Sequence, residues 1–167
     1  MHIQLTQEDL DRCHRFSEDV TATTHHIYAK RGQDDPLKVI NDAFVGKCGE
    51  IAVAKMLLVS GLDCSDPDFA IYTDTKGWAP DLRVGQLGIS VKTITATSAS
   101  RFGKSWCFQN TDAFWQSNDA AFFVVYGEIS NRCEIYGPYK AQDLAVLRKP
   151  TRLGFASKCA IYFEDLR

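Results

Sequence analysis

Ala79-Pro80-Asp81-Leu82-Arg83-Val84-Gly85-Gln86-Leu87-Gly88-Ile89-Ser90-Val91-Lys92-Thr93 reads as a tight β-hairpin. Gly85-Gln86 suits a two-residue type II′ loop, which needs positive φ at its first central position, where glycine is least costly. That loop sets the register: Val84 faces Leu87, Leu82 faces Ile89, and Asp81 stands opposite Ser90. Because side chains alternate between faces, Leu82, Val84, Leu87, Ile89 and Val91 form one apolar face. Asp81, Arg83, Gly88, Ser90 and Lys92 occupy the other. A carboxylate, a hydroxyl and an ammonium at one end of a sheet are groups that metal-assisted phosphodiester cleavage uses. The plainer alternative is an amphipathic hairpin with one solvated face.

Upstream, Thr6 to about Asp19 reads as a helix, with Thr6 as N-cap and Asp9 at the third helical position. Residues 21–33 are polar and poorly periodic and read as loop or irregular helix. Asp35-Pro36 starts a stronger helix, in which Leu37, Ile40, Phe44, Cys48 and Ile51 recur at helical spacing up to Val59, before Ser60-Gly61. A turn-rich loop (residues 63–68), a strand at Phe69–Thr73 and a connection at Thr75–Trp78 lead into the hairpin, whose second arm reaches about Thr95. Thr97 to Lys104 is small and polar and reads as a mobile loop.

Ser105–Gln109 is predicted as a short strand, and Thr111 as the cap of a brief helix through Trp115. Ala120 to Tyr126 is continuously apolar, the pattern of a central strand buried on both faces. Arg132–Tyr136 follows as an edge strand, Tyr139–Leu147 as a helix and Cys159–Phe163 as a closing strand. The order predicts a mixed α/β domain, a central mixed sheet flanked by helices. No repeat or linker divides it.

With 167 residues, 45% hydrophobic and 24% charged, the chain has the composition of one globular domain. No apolar run approaches a bilayer-spanning length, and the N-terminus lacks the basic and apolar regions of a signal peptide, so a cytoplasmic location is expected. Six dispersed cysteines without a CxxC pair read as reduced, mostly buried thiols, and their spacing argues against zinc. His25-His26, being adjacent, point in different directions and make a poor chelating pair. Net charge is −2 and the pI near 6.1, which excludes a generic basic nucleic-acid binder; a bound divalent ion would add local positive charge. Basic residues bunch at Lys92, Arg101 and Lys104 and again at Arg148, Lys149, Arg152 and Lys158, either to meet phosphates or as a solvated surface. Trp106, Phe108, Phe114 and Trp115 are predicted as core rather than as a base-stacking platform.

On the long helix, Ala43, Gly46, Gly49, Glu50, Val53 and Ala54 share one side. Two glycines in a helix interior each cost up to about 1 kcal/mol relative to alanine; the small side they create lets the helix approach a sheet or a nucleic-acid backbone closely. Glu50 stands in its middle, either as a functional carboxylate or as a solvated helix residue.

Glu50 in Gly46-Lys-Cys-Gly-Glu50, Pro80-Asp81 and Ser90-Val91-Lys92 together resemble the PD-(D/E)xK nuclease superfamily over about residues 36–126. The resemblance implies a restriction-endonuclease-like core, with the N-terminal helix and the C-terminal helix and strand as additions. It implies an endonuclease that hydrolyses DNA, with RNA as the alternative, using Mg²⁺ or Mn²⁺. Glu50 and Asp81 would hold the ion, and Lys92 would orient the attacking water or stabilise charge on phosphorus. Gln109 falls where some members carry a glutamine after the lysine strand. Ser90 departs from the family pattern, which has Asp or Glu two residues before the lysine. Some members supply the missing carboxylate from a following helix, which points to Asp112, with Asp119 behind it and Glu50 on the long helix as the alternative. If no carboxylate fills the place, a nuclease-fold module that binds nucleic acid or protein without cutting is implied instead. A structural or assembly protein with a coincidental hairpin is a third reading. Related nucleases often act as dimers, so a homodimer is expected by analogy.

Overall fold

The computed structural model describes residues 1–29, 35–72, 79–117, 119–154 and 156–166. In chain order its elements are β1 (His2–Gln4), α1 (Gln7–Ala29), α2 (Pro36–Val59), β2 (Leu82–Val84), β3 (Leu87–Thr95), α3 (Ala96–Phe102), β4 (Ser105–Gln109), β5 (Ala120–Gly127), β6 (Arg132–Lys140), α4 (Ala141–Leu147), β7 (Lys149–Pro150) and β8 (Lys158–Tyr162). Short 3-10 turns follow β4 at Ala113–Gln116 and β8 at Phe163–Asp165. The main sheet has the strand order β1-β6-β5-β3-β2 and the second the order β4-β8-β7. In the main sheet only β3 and β5 run parallel; its other pairs are antiparallel. The architecture is α/β with a mixed sheet. Among the described residues no helix is long and apolar enough to cross a membrane.

The hairpin takes the register set by its loop, Leu82 with Ile89, Arg83 with Gly88 and Val84 with Leu87. Gly85 has φ +57°, whereas Gln86 is not among the positive-φ residues, as a type II′ turn requires. β5 is buried along nearly its whole length and divides two cores. On one face, Phe122, Val124 and Tyr126 meet Ile89, Val91, Ile51, Leu57 and Cys13 beneath α1 and α2. On the other, Phe123 and Val125 meet Trp106, Phe108, Phe114, Leu144 and Ile161. The four aromatics of residues 106–115 are core, and Trp106 Nε1 donates to Val124 O at 3.1 Å. Both termini contribute to these cores, Leu10 and Cys13 to the first and Cys159 and Ile161 to the second. All six cysteines are free; Cys13, Cys48, Cys133 and Cys159 are buried, and Cys107 is exposed.

The helix caps follow the sequence. Asp35 Oδ1 accepts the N–H groups of Leu37 and Lys38, and Thr6 and Asp9 exchange reciprocal cap bonds. Gly49 allows close helix–sheet contact: a Cβ there would lie 1.8 Å from Thr93 Oγ1.

Several boundaries differ from expectation. α1 continues through the threonine-rich segment to Ala29, where the hydroxyls of Thr23 and Thr24 donate back to the carbonyls of Asp19 and Val20, the side-chain bonding that threonine adopts inside a helix. His25 and His26 belong to this helix. Residues 69–72 form no strand; Asp68 instead turns the chain by accepting Ala70 N–H at 2.9 Å. Thr73 and the Thr75–Trp78 connection lie outside the described residues. The segment expected as a mobile loop contains α3, because Thr95 Oγ1 caps Ser98 N–H. Asp112 rather than Thr111 caps the turn at Ala113. β6 runs on to Lys140 and is no edge strand, since β1 covers its outer side. α4 therefore starts only at Ala141.

Candidate active site

Asp81 precedes β2, and its N–H donates to Ile89 O at 2.9 Å. Its Oδ2 accepts Val91 N–H at 2.6 Å and lies 3.4 Å from Ser90 Oγ, which donates to it. The carboxylate and hydroxyl thus meet at one sheet end, as the register implied. Lys92 is two residues beyond Ser90 on β3, hence on the same face and about 7 Å along the strand. Its Nζ lies 5.1 Å from the Phe108 ring centroid, on the side of the sheet where Phe108 and Phe123 pack. The polar face of the hairpin is not simply solvated: Gly88 and Ser90 are buried and Lys92 is half-buried.

Glu50 comes from α2, which packs on the Val91 and Thr93 face of β3, the face opposite Ser90 and Lys92; of the site residues it is Asp81, at the strand end, that acts on it. Glu50 is 9% exposed, so it is not a solvated helix residue. Its Oε2 is 2.5 Å from Lys47 Nζ, and that ammonium lies over the rings of Phe16 and Phe69 at 5.0 and 5.3 Å. Burial pushes the Glu50 carboxyl up to about 7; Lys47 opposes the shift, and the negative charges of Asp81 and Asp68 add to it. Asp81 is therefore close enough to act on Glu50 through the field. Burial outweighs the Lys47 contact, so the environment favours the protonated carboxyl.

The other expected residues do not join them. Gln109 ends β4 on its exposed side, where strand alternation places it opposite the inward Trp106 and Phe108. Asp112 Oδ1 accepts Phe114 N–H at 3.1 Å and is engaged as a cap in the second core. Asp119 comes much nearer. Its Oδ1 accepts Gly88 N–H at 3.2 Å, and a Cβ on Gly88 would lie 2.9 Å from its Oδ2 and 3.0 Å from Pro80 Cβ. Since Gly88 and Ser90 share a face, Asp119 is the carboxylate adjacent to the place Ser90 leaves uncharged. Lys47 and Asp68 were not anticipated as neighbours of Glu50; the i, i+3 spacing of Lys47 and Glu50 was the available signal.

Among the described residues, no three of His, Cys, Asp and Glu converge closely enough to hold a metal ion by themselves. Mg²⁺ is commonly held by one or two carboxylates and completes its shell with water and substrate phosphate oxygens; here Glu50 Oε2 is engaged by Lys47 and Asp81 Oδ2 by Ser90 and Val91. No family model matches this chain, and no curated protein or solved structure matches it.

Proposed function

We propose that the chain is a divalent-metal-dependent endonuclease that hydrolyses DNA phosphodiester bonds on a restriction-endonuclease-like core. The observation that carries this reading is the contact of Asp81 with Ser90 and Val91, on the strand that presents Lys92 and within the field of buried Glu50. Bound Mg²⁺ or Mn²⁺ would polarise the scissile phosphate and lower the pKa of attacking water. Asp81 and Glu50 are the residues that would hold it. Ser90 supplies no charge; by donating to Asp81 it orients that carboxylate. Lys92 brings a positive charge to the same face, where it orients water and stabilises the extra charge on phosphorus. The two mutually repelling carboxylates set the field that a cation relieves.

The test is cleavage of plasmid and linear DNA with Mg²⁺ or Mn²⁺. Wild type is expected to cut only with metal, and folded Asp81→Ala and Lys92→Ala proteins to lose cleavage. Equal cutting by both variants rejects the assignment. RNA substrates in the same assay identify the preferred nucleic acid, and sedimentation tests the homodimer expected by analogy.

One observation favours a second reading. Lys47 Nζ already neutralises Glu50, and Ser90 supplies no anionic oxygen, so the same fold would serve as a nucleic-acid-binding or protein-interaction module without cutting. Titration calorimetry with Mn²⁺ separates the two. The enzyme takes up metal in a manner that depends on Asp81, and the module does not.

A further inference from the structure

The basic residues near the C-terminus take no part in the site above, yet the fold gathers three of them around one cavity. Arg148 after α4, Lys149 in β7 and Lys158 in β8 line a cavity of about 490 Å³ with Asn110 and Thr151. Among the described residues that line it there is no carboxylate. Strand pairing brings the cations together: Pro150 is paired with Cys159 and Lys158 with Gln109. The Lys149 ammonium is steadied by Asp165 at 2.6 Å. The Arg148 guanidinium carbon lies 5.5 Å from the Trp115 ring centroid, and a guanidinium offers the fork geometry that matches phosphate oxygens. This concentration occurs in a chain of net charge −2, so it does not reflect a general excess of base.

A row of aromatic contacts connects the cavity to the candidate active site. Lys92 Nζ lies 5.1 Å from the Phe108 centroid. Phe108 lies 4.6 Å from Trp115, which carries Arg148 on its ring. Two cations thus flank one packed aromatic pair.

We propose that this cavity is a phosphate-binding site for the backbone of a nucleic-acid strand whose scissile bond lies where Asp81 and Lys92 act. Arg148 grips phosphate oxygens as a fork and Lys158 adds a point charge, while Lys149 stays paired with Asp165 at the rim. Only the position of the scissile bond rests on the nuclease reading; binding of the strand does not.

The test measures binding of a labelled DNA duplex in EDTA, where no cleavage occurs, across a salt series. Arg148→Ala/Lys158→Ala is expected to weaken binding at every sequence tried and to reduce the slope of log K against log salt by roughly 2. Arg148→Glu, at an exposed position, is expected to weaken it further, with melting unchanged as the control for folding. Unaltered affinity and slope in both variants overturn the proposal. Inorganic phosphate, titrated calorimetrically, distinguishes a free ligand from a strand: heat lost in the double variant while its duplex affinity is unchanged also overturns it. Failure here is distinguishable from failure of the nuclease reading. Wild-type cleavage with no effect of the double variant on binding rejects only the cavity, and duplex binding lost in the double variant without wild-type cleavage rejects only the enzyme.

Discussion

Asp81 Oδ2 accepts the backbone N–H of Val91 at 2.6 Å, so the carboxylate proposed to hold metal also caps a sheet edge. β2 extends only from Leu82 to Val84, and beyond it the buried Val91 needs another acceptor on that side. Removing the acceptor leaves a buried donor unsatisfied, at a cost of about 1–3 kcal/mol. Asp81→Ala is expected to lose stability of that order, read from urea unfolding. Asp81→Asn keeps a carbonyl oxygen and is expected to lose markedly less. Both are expected to abolish metal-dependent cleavage, so the asparagine variant separates chemistry from folding.

Gly49 and Thr93 set how closely α2 approaches β3. The Cβ of an alanine at position 49 would fall 1.8 Å from Thr93 Oγ1, so the threonine must rotate or the helix must move. Overpacking of this kind costs about 1–3 kcal/mol, against a helix-propensity gain of up to about 1 kcal/mol. Gly49→Ala is expected to be net destabilising, and Gly49→Ala/Thr93→Ala to recover most of the loss. A cycle of the four proteins in urea measures the coupling; additive effects would show that the two positions do not meet.

What the sequence made legible was local. The hairpin register follows from alternation and one glycine turn, α2 from the Asp35-Pro36 start, and the central strand from an uninterrupted apolar run. β1 was not legible: His2–Gln4 is too short for a pattern, and its pairing with residues 132–134 is wholly nonlocal. Neither was the pairing of β4 with β8, which makes a second sheet. The side of β4 that carries Gln109 was legible, because reading Trp106 and Phe108 as core already commits Gln109 to the opposite face. The burial of Glu50 also had a signal. Val45, Ile51, Val53 and Leu57 surround α2 on several sides, and a helix apolar all round is a buried one. Asp119 was only second choice because its closeness to Gly88 depends on parallel pairing of β3 with β5, which hydrophobic pattern alone does not specify.

Glu50 gives the protein a defined pH dependence. Its carboxyl is pushed up from an ordinary 4.5 to about 7, chiefly by burial. Between these values the folded protein holds a proton that the unfolded chain has released, so stability falls as pH rises through this window and levels above it. The change is up to about 3 kcal/mol. Glu50→Gln is expected to remove this slope, seen as a wild-type-minus-variant stability difference that declines between pH 5 and 8. Because metal binds the ionised form, Mg²⁺ is expected to raise wild-type Tm more at pH 8 than at pH 6, and to have little effect on Glu50→Gln. A wild-type curve parallel to that of the variant would remove Glu50 from the titrating set.

Lys92 has no ion pair among the described residues, and its ammonium rests on the face of Phe108. Such a contact is worth about 0.5–1 kcal/mol, so Lys92→Ala is expected to change stability by no more than that. The rate is a different matter, because an ammonium that acts on developing phosphorane charge contributes mainly in the transition state. Single-turnover cleavage is expected to slow by about 10²–10⁴-fold while duplex affinity in EDTA changes little. Lys92→Arg is expected to keep affinity without regaining the full rate, since a planar fork does not occupy the place of a compact ammonium. A Lys92→Ala protein that binds DNA poorly but cuts bound DNA at the wild-type rate would make Lys92 a phosphate anchor rather than a catalytic residue.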